Sequence, residues 1–125
     1  MIKAISKVKK VALRPSVKVD ISAFTDEPCV LEFNEPTAAA LFPESELLKS
    51  LKIKFAKYPD AMLYQVALLA KCYVIKPEDG DSINAYQEFG QLAKDNKECF
   101  YHVLAEFLNA FPTNLDNAVT EAKND

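Results

Sequence analysis

The stretch PDAMLYQVALLAKCYV, residues 59–74, decides the fold of this chain. Its apolar residues recur every three or four positions, as they do on one face of an α-helix. That face comprises Leu63, Val66, Ala67, Ala70 and Val74, and it is widened by Met62, Leu69 and Tyr73. Pro59 and Asp60 precede the pattern, and the corner Pro77-Glu78-Asp79-Gly80 follows it. We therefore predict a central buried helix between these two boundaries.

Upstream of this helix the apolar residues alternate with polar ones, which is the period of a half-buried strand. One alternating set is Val17, Val19 and Ile21, and the other is Cys29, Leu31 and Phe33. The turn signal Asp26-Glu27-Pro28 separates them. We predict a β-hairpin over residues 10–34, with Val11 and Leu13 available to extend its first strand.

Two short helices are expected between the hairpin and the central helix. Asn34 is the predicted cap of the first, over residues 37–42, with Pro36 near its first turn. The second begins at residues 44–46, and one face of it is apolar: Leu47, Leu48, Leu51 and Phe55. Residues 51–55 also alternate with lysines, so a strand is the alternative there.

Two further helices follow the central one. The first is predicted to be capped by Asp81 or Ser82, and its apolar positions are Ile83, Tyr86, Phe89 and Ala93. The second is predicted to begin with a capping box formed by Asp95 and Glu98. Its apolar stripe comprises Phe100, Val103, Leu104, Phe107 and Leu108, and Phe111 and Pro112 close it.

The predicted fold is mainly α: a compact bundle of about four helices with a short N-terminal β-hairpin. Residues 1–125 form a single domain, with the hairpin at 10–34, a helical core at 36–112 and a weak helix or mobile tail at 113–125. A length of 125 residues with 50% hydrophobic content is enough for one core. Only 2 glycines against 7 prolines disfavour an all-β fold with many tight turns.

Cysteine usage and the lack of long apolar runs indicate a cytoplasmic protein. Cys29, Cys72 and Cys99 are odd in number and stand among apolar residues, as expected of small buried side chains in a reducing compartment. Residues 63–75 are interrupted by Gln65 and Lys71, so they do not form a membrane span. Arg14 and Pro15 interrupt the nearest candidate for a secretory segment.

Residues suited to catalysis are few, so we predict that the protein is not an enzyme. His102 is the only histidine, and Gly80 and Gly90 are the only glycines, which excludes histidine metal clusters and glycine-rich phosphate loops. A dyad of Cys99 and His102 is conceivable at i, i+3, but an ordinary surface or interface position explains His102 better. We assign no catalytic, cofactor-binding or metal-binding residue.

Acidic residues near turns have structural explanations. The corner at 77–81 could in principle hold calcium, but it lacks the alternation and the distal glutamate of an EF-hand loop. Glu44 and Glu46, like Asp79 and Asp81, stand at turn or cap positions that favour acids.

Charge is distributed unevenly along the chain, whose formal net charge is -3. Residues 1–57 contain ten Lys and Arg against seven Asp and Glu, and the first 18 residues contain six bases and no acid. This N-terminal arm is either a solvated terminus or a contact for an acidic partner or nucleic acid. Arg14 is the only arginine, so nucleic acid is the minor hypothesis.

Several segments of the chain resemble the tail assembly chaperones of long-tailed, lambda-like bacteriophages. They are PTAAALFP at 36–43, LLAKCYVI at 68–75, the Glu78-Asp79-Gly80 corner and Phe107-Leu108-Asn109. The resemblance covers roughly residues 15–112 and consists of helix lengths and apolar positions.

The resemblance implies a cytoplasmic helper that forms oligomers, holds the tape-measure protein during tail building and is absent from the virion. It implies no catalytic residues, and the edge of the hairpin offers a surface for self-association. It also implies a programmed −1 ribosomal frameshift that appends a second domain to a minority of chains. Ala122-Lys123-Asn124 can be encoded by bases that read A AAA AAC, on which a ribosome can slip.

Overall fold

The predicted hairpin is present in the described part of the chain. The computed structural model describes residues 15–80 and 83–112, so Val11, Leu13 and the tail at 113–125 lie outside the described residues. Strand β1 (Ser16–Asp20) pairs antiparallel with β2 (Val30–Asn34), and Val19 lies opposite Leu31. A single 3₁₀ turn, Ser22–Phe24, begins the connection between the strands.

The predicted alternation sets the two faces of the hairpin. Val19, Ile21 and Phe33 are buried, whereas Ser16, Lys18 and Asp20 are exposed. Since one face of the hairpin is apolar, it packs against the helices and leaves the polar face to solvent.

Five α-helices follow the hairpin in the described part of the chain, so the fold is mainly helical, as predicted. They are α1 (Ala38–Leu41), α2 (Ser45–Lys54), α3 (Asp60–Cys72), α4 (Ala85–Asp95) and α5 (Lys97–Ala110). Helix α4 packs against α3 and α5, and α5 also contacts β1.

The central helix α3 is confirmed, and its buried side chains surround its axis rather than forming a single stripe. They are Leu63, Val66, Ala67, Leu68, Leu69, Ala70 and Cys72. Such a helix must be covered by other elements on several sides. The hairpin, α2 and α4 pack against it and provide this cover.

The predicted end of this helix is wrong. Helix α3 ends at Cys72, and Tyr73 already has the extended backbone of a strand (ψ 133°). The cause is tertiary, because the Val74 N–H donates to the Glu32 carbonyl of β2 (2.9 Å) and draws the chain out of the helix. The corner at Pro77–Asp79 forms a separate 3₁₀ turn.

The segment at 51–55 is helical, so the strand alternative is wrong. Leu51 and Phe55 are buried and Leu47 and Leu48 are half-buried, whereas Ile53 is 83% exposed. The residues spaced as one face of a helix are therefore the ones that pack in the core.

Two predicted helix caps are displaced. Asn34 is the last residue of β2, and α1 is capped instead by the Thr37 hydroxyl, which accepts from the Ala40 N–H (3.3 Å). Helix α4 is capped by Asn84, whose side-chain oxygen accepts from the Gln87 N–H (3.3 Å). The residues predicted for that role, 81 and 82, lie outside the described residues.

The capping box predicted for α5 is also wrong. Asp95 is still part of α4, where its carboxylate accepts from the Gln91 side chain (3.1 Å). The cap is Asn96, which accepts from the Cys99 N–H (3.1 Å) and donates its own N–H to the Leu92 carbonyl (2.8 Å). One residue thus ends α4 and begins α5.

Candidate binding surfaces

The two edges of the hairpin differ. Cross-strand hydrogen bonds join odd-numbered residues, as the Glu35 N–H to Pro15 carbonyl (2.8 Å) and Ile21 N–H to Cys29 carbonyl (3.0 Å) bonds at its ends show. Since antiparallel bonding alternates, the backbone groups of even-numbered residues point to the outer edges. The sheet therefore presents Ser16 and Lys18 on one edge and Val30 and Glu32 on the other.

The outer edge of β2 is covered by residues 73–76. The Val74 N–H donates to Glu32, the Lys76 ammonium donates to the Val30 carbonyl (3.1 Å), and Tyr73 forms an antiparallel bridge with Phe33. Residues 73–76 therefore act as a short third strand along this edge.

In the described part of the chain, the outer edge of β1 is open over most of its length. Among the described residues, the outward N–H and C=O groups of Ser16 and Lys18 form no hydrogen bond. Only at the end of the strand is a carbonyl in contact, where that of Asp20 lies 3.2 Å from His102 Nε2. An open edge of this kind can accept the backbone of another extended segment.

His102 lies where α5 meets this strand. Its ring contacts Phe24 (5.5 Å between centroids) in addition to the Asp20 carbonyl, whereas Cys99, one turn earlier, is 1% exposed in the core. Burial raises the pKa of the Cys99 thiol, which disfavours the nucleophilic thiolate. The structure thus places the two members of the hypothetical dyad in different surroundings.

Asp79 stabilises the corner after α3. Its carboxylate accepts from the Tyr73 hydroxyl (2.7 Å) and from the Lys76 N–H (2.9 Å). The Lys76 backbone bond, followed by the Tyr73 bond, lowers the pKa of Asp79. Burial, followed by the bond to Asp79, raises the pKa of Tyr73.

Two further acidic residues, Glu44 and Glu46, lie at the start of α2. Glu44 precedes α2 at the cap position and Glu46 lies in its first turn. Over residues 15–80 and 83–112 no group of three or more His, Cys, Asp or Glu side chains could hold a metal ion. Asp81 lies outside this range.

The basic N-terminal arm is described only at its end. Lys18 is exposed on the solvent face of β1, and the other five basic residues of the arm lie outside the described residues. None of the described helices is long and apolar enough to span a membrane.

A groove, here called the α4 groove, opens between the hairpin and α4. Its volume is about 240 Å³, and its largest apolar lining residues are Ile21, Leu31, Tyr73, Ile83, Phe89 and Leu92. Asp79 and Glu88 also line it, and both are shared with an adjoining depression that contains Glu78. An apolar groove beside three carboxylates suits a segment that is apolar and basic.

Sequence reasoning did not find the α4 groove or the difference between the two hairpin edges. The alternation indicated that Ile21 and Leu31 lie on the inner face of the hairpin. No local pattern indicated that they would line a groove together with residues of α4, because those residues are distant in sequence. Comparisons of the chain with known protein families, with curated proteins and with solved structures found no match.

Proposed function

We propose that this protein is a tail assembly chaperone of a long-tailed bacteriophage, which associates with itself and holds the tape-measure protein in the host cytoplasm until the tail is built. The resemblance of its segments to that family motivates the assignment. The open edge of β1 is the structural observation that supports a holding function, because it offers backbone hydrogen bonds to an extended partner without requiring a particular partner sequence.

The α4 groove is a second surface suited to a polypeptide. Its lining is mainly apolar, and its carboxylates would favour partner segments that contain lysine or arginine. A holding function needs surfaces of this kind and no reactive group.

The test is co-expression of the full chain with the protein encoded directly downstream of it, which the proposal requires to be a long tape-measure protein. We expect the chain to raise the fraction of that protein left in solution after centrifugation. The gene should also contain a slippery heptamer at codons 122–124, with an overlapping frame. A downstream protein of another class, or no gain in its solubility, would refute the assignment.

One substitution tests the role of the β1 edge. Lys18→Pro removes an outward-pointing N–H and no bond between β1 and β2, so an edge strand tolerates it. We expect it to reduce the holding of the tape-measure protein. Lys18→Ala removes the same charged side chain and keeps the N–H, so it should hold the partner as the unaltered chain does. Equal loss in both variants would show that charge, and not backbone pairing, is responsible.

A further inference from the structure

The α4 groove lacks an occupant among the described residues, and the chain contains a segment of matching chemistry. We propose that the groove binds residues 1–14 of a second copy of this chain. The proposal rests on the self-association in the proposed function and specifies the surfaces through which the copies join.

The N-terminal segment, residues 1–14, combines apolar and basic side chains. Its bases are Lys3, Lys7, Lys9, Lys10 and Arg14, and it contains no acid. Its large aliphatic residues are Ile2, Ile5, Val8, Val11 and Leu13. The aliphatic side chains match the apolar lining of the groove, and the bases match its carboxylates.

Among the described residues, Glu78, Asp79 and Glu88 form no salt bridge, although the charge of Lys76 contributes to the lowered pKa of Asp79. Glu88 is exposed. Lys76, the base nearest to Asp79 in sequence, donates its ammonium to the Val30 carbonyl. Glu78, Asp79 and Glu88 therefore make this surface attractive to a basic segment.

The direction of β1 favours a segment from a second copy. Ile21 lines the groove, whereas Pro15 lies at the other end of the strand, about 20 Å away at a rise of ~3.3 Å per residue. The segment of the same copy would have to reverse its direction and return along the whole hairpin. Fourteen residues span up to about 46 Å when extended, so they can reach a neighbouring copy without that reversal.

Charge reversal in the full chain tests this segment exchange, in which residues 1–14 of one copy bind the α4 groove of another. We would measure the molar mass of the protein by light scattering during size exclusion, over a range of concentrations. Lys9→Glu with Lys10→Glu reverses two charges of the segment, and Glu88→Lys reverses one charge of the groove. Each variant alone should raise the Kd of self-association about tenfold or more, because like charges would then meet at the interface.

The matched control is Glu106→Lys, which makes the same charge change at an exposed position of α5. It should associate as the unaltered chain does. A mixture of the Lys9→Glu/Lys10→Glu and Glu88→Lys proteins should regain association, because the reversed segment matches the reversed groove. Circular dichroism of each variant establishes that it is folded.

Three results would overturn the inference: a monomeric unaltered chain at high concentration, equal association of Glu88→Lys and Glu106→Lys, or a mixture that stays monomeric. The solubility of the tape-measure protein is read separately. A monomeric chain that still holds that protein would refute the segment exchange and leave the holding function intact. A chain that exchanges segments but holds no partner would refute the holding function alone.

Discussion

Replacement of Gly90 by alanine should destabilise the protein, although the same change in an exposed helix stabilises by about 1 kcal/mol. Gly90 lies inside α4 and is buried. A Cβ atom at this position would overlap the ring of Phe55, at its Cζ and Cε2 atoms. The backbone of α4 and the ring of Phe55 are therefore in direct contact, and glycine is required because it lacks a side chain.

The Phe55 ring has little room to move away. It is 8% exposed, stacks on Tyr58 with centroids 4.9 Å apart, and packs with Leu51 and Leu63. The Tyr58 hydroxyl in turn donates to the Gly90 carbonyl (2.7 Å), so a displaced ring also disturbs this bond. Overpacking costs about 1–3 kcal/mol and a lost hydrogen bond about 1 kcal/mol. After the gain in helix propensity, we expect a net loss of about 1–3 kcal/mol.

Urea unfolding followed by circular dichroism measures this loss. With a slope of about 1–3 kcal/mol per molar urea, a loss of about 2 kcal/mol lowers the midpoint by roughly 1 M. Phe55→Leu provides the matched background, because its shorter side chain has no atoms where the added methyl group would lie. In that background Gly90→Ala should be neutral or stabilising by up to about 1 kcal/mol. A stabilising effect of Gly90→Ala in the unaltered chain, or an equal cost in both backgrounds, would refute the predicted clash between the added methyl group and Phe55.

Four further outcomes follow from the contacts described above. Asn96→Ala should cost about 1 kcal/mol in urea unfolding, whereas Asp95→Ala should cost less than about 0.5 kcal/mol, and the reverse order would restore Asp95 as the cap. The lowered pKa of Asp79 implies that its carboxylate contributes stability above pH ~4, and that this contribution is lost as the pH falls through the pKa of the folded state. Tyr73→Phe should make the free energy of unfolding depend less on pH when the protein is titrated with acid. The raised pKa of Tyr73 implies a loss of stability above pH ~10, which should be smaller in the same variant. The buried Cys99 thiol should react slowly with a thiol reagent at neutral pH, and rapid modification of the folded protein would contradict its burial.

Local periodicity was sufficient to predict the two strands, the central helix and the apolar stripe of α5. Periodicity did not predict helix boundaries correctly where several residues within a few positions are suitable caps. Asp95 and Asn96 are both good caps, and the choice between them depends on where α4 ends. The end of α3 depends on the bond between Val74 and Glu32, whose residues are distant in sequence.

The candidate surfaces were less predictable than the elements that form them. The hairpin edge was expected as a surface for self-association, but the sequence did not indicate which of the two outer edges would be open. That difference arises because residues 73–76 lie along β2. The close contact of Gly90 with Phe55 likewise joins two helices that no local pattern connects.

The closure of one hairpin edge limits how many strands can be added to this sheet. A fibril grows because every molecule both accepts a strand and presents a new edge to the next. In the described part of this chain residues 73–76 lie along β2, so each copy offers only its β1 edge for strand addition. Pairing of two folded copies through their β1 edges therefore occupies both open edges, and such pairing alone does not extend into a continuous sheet.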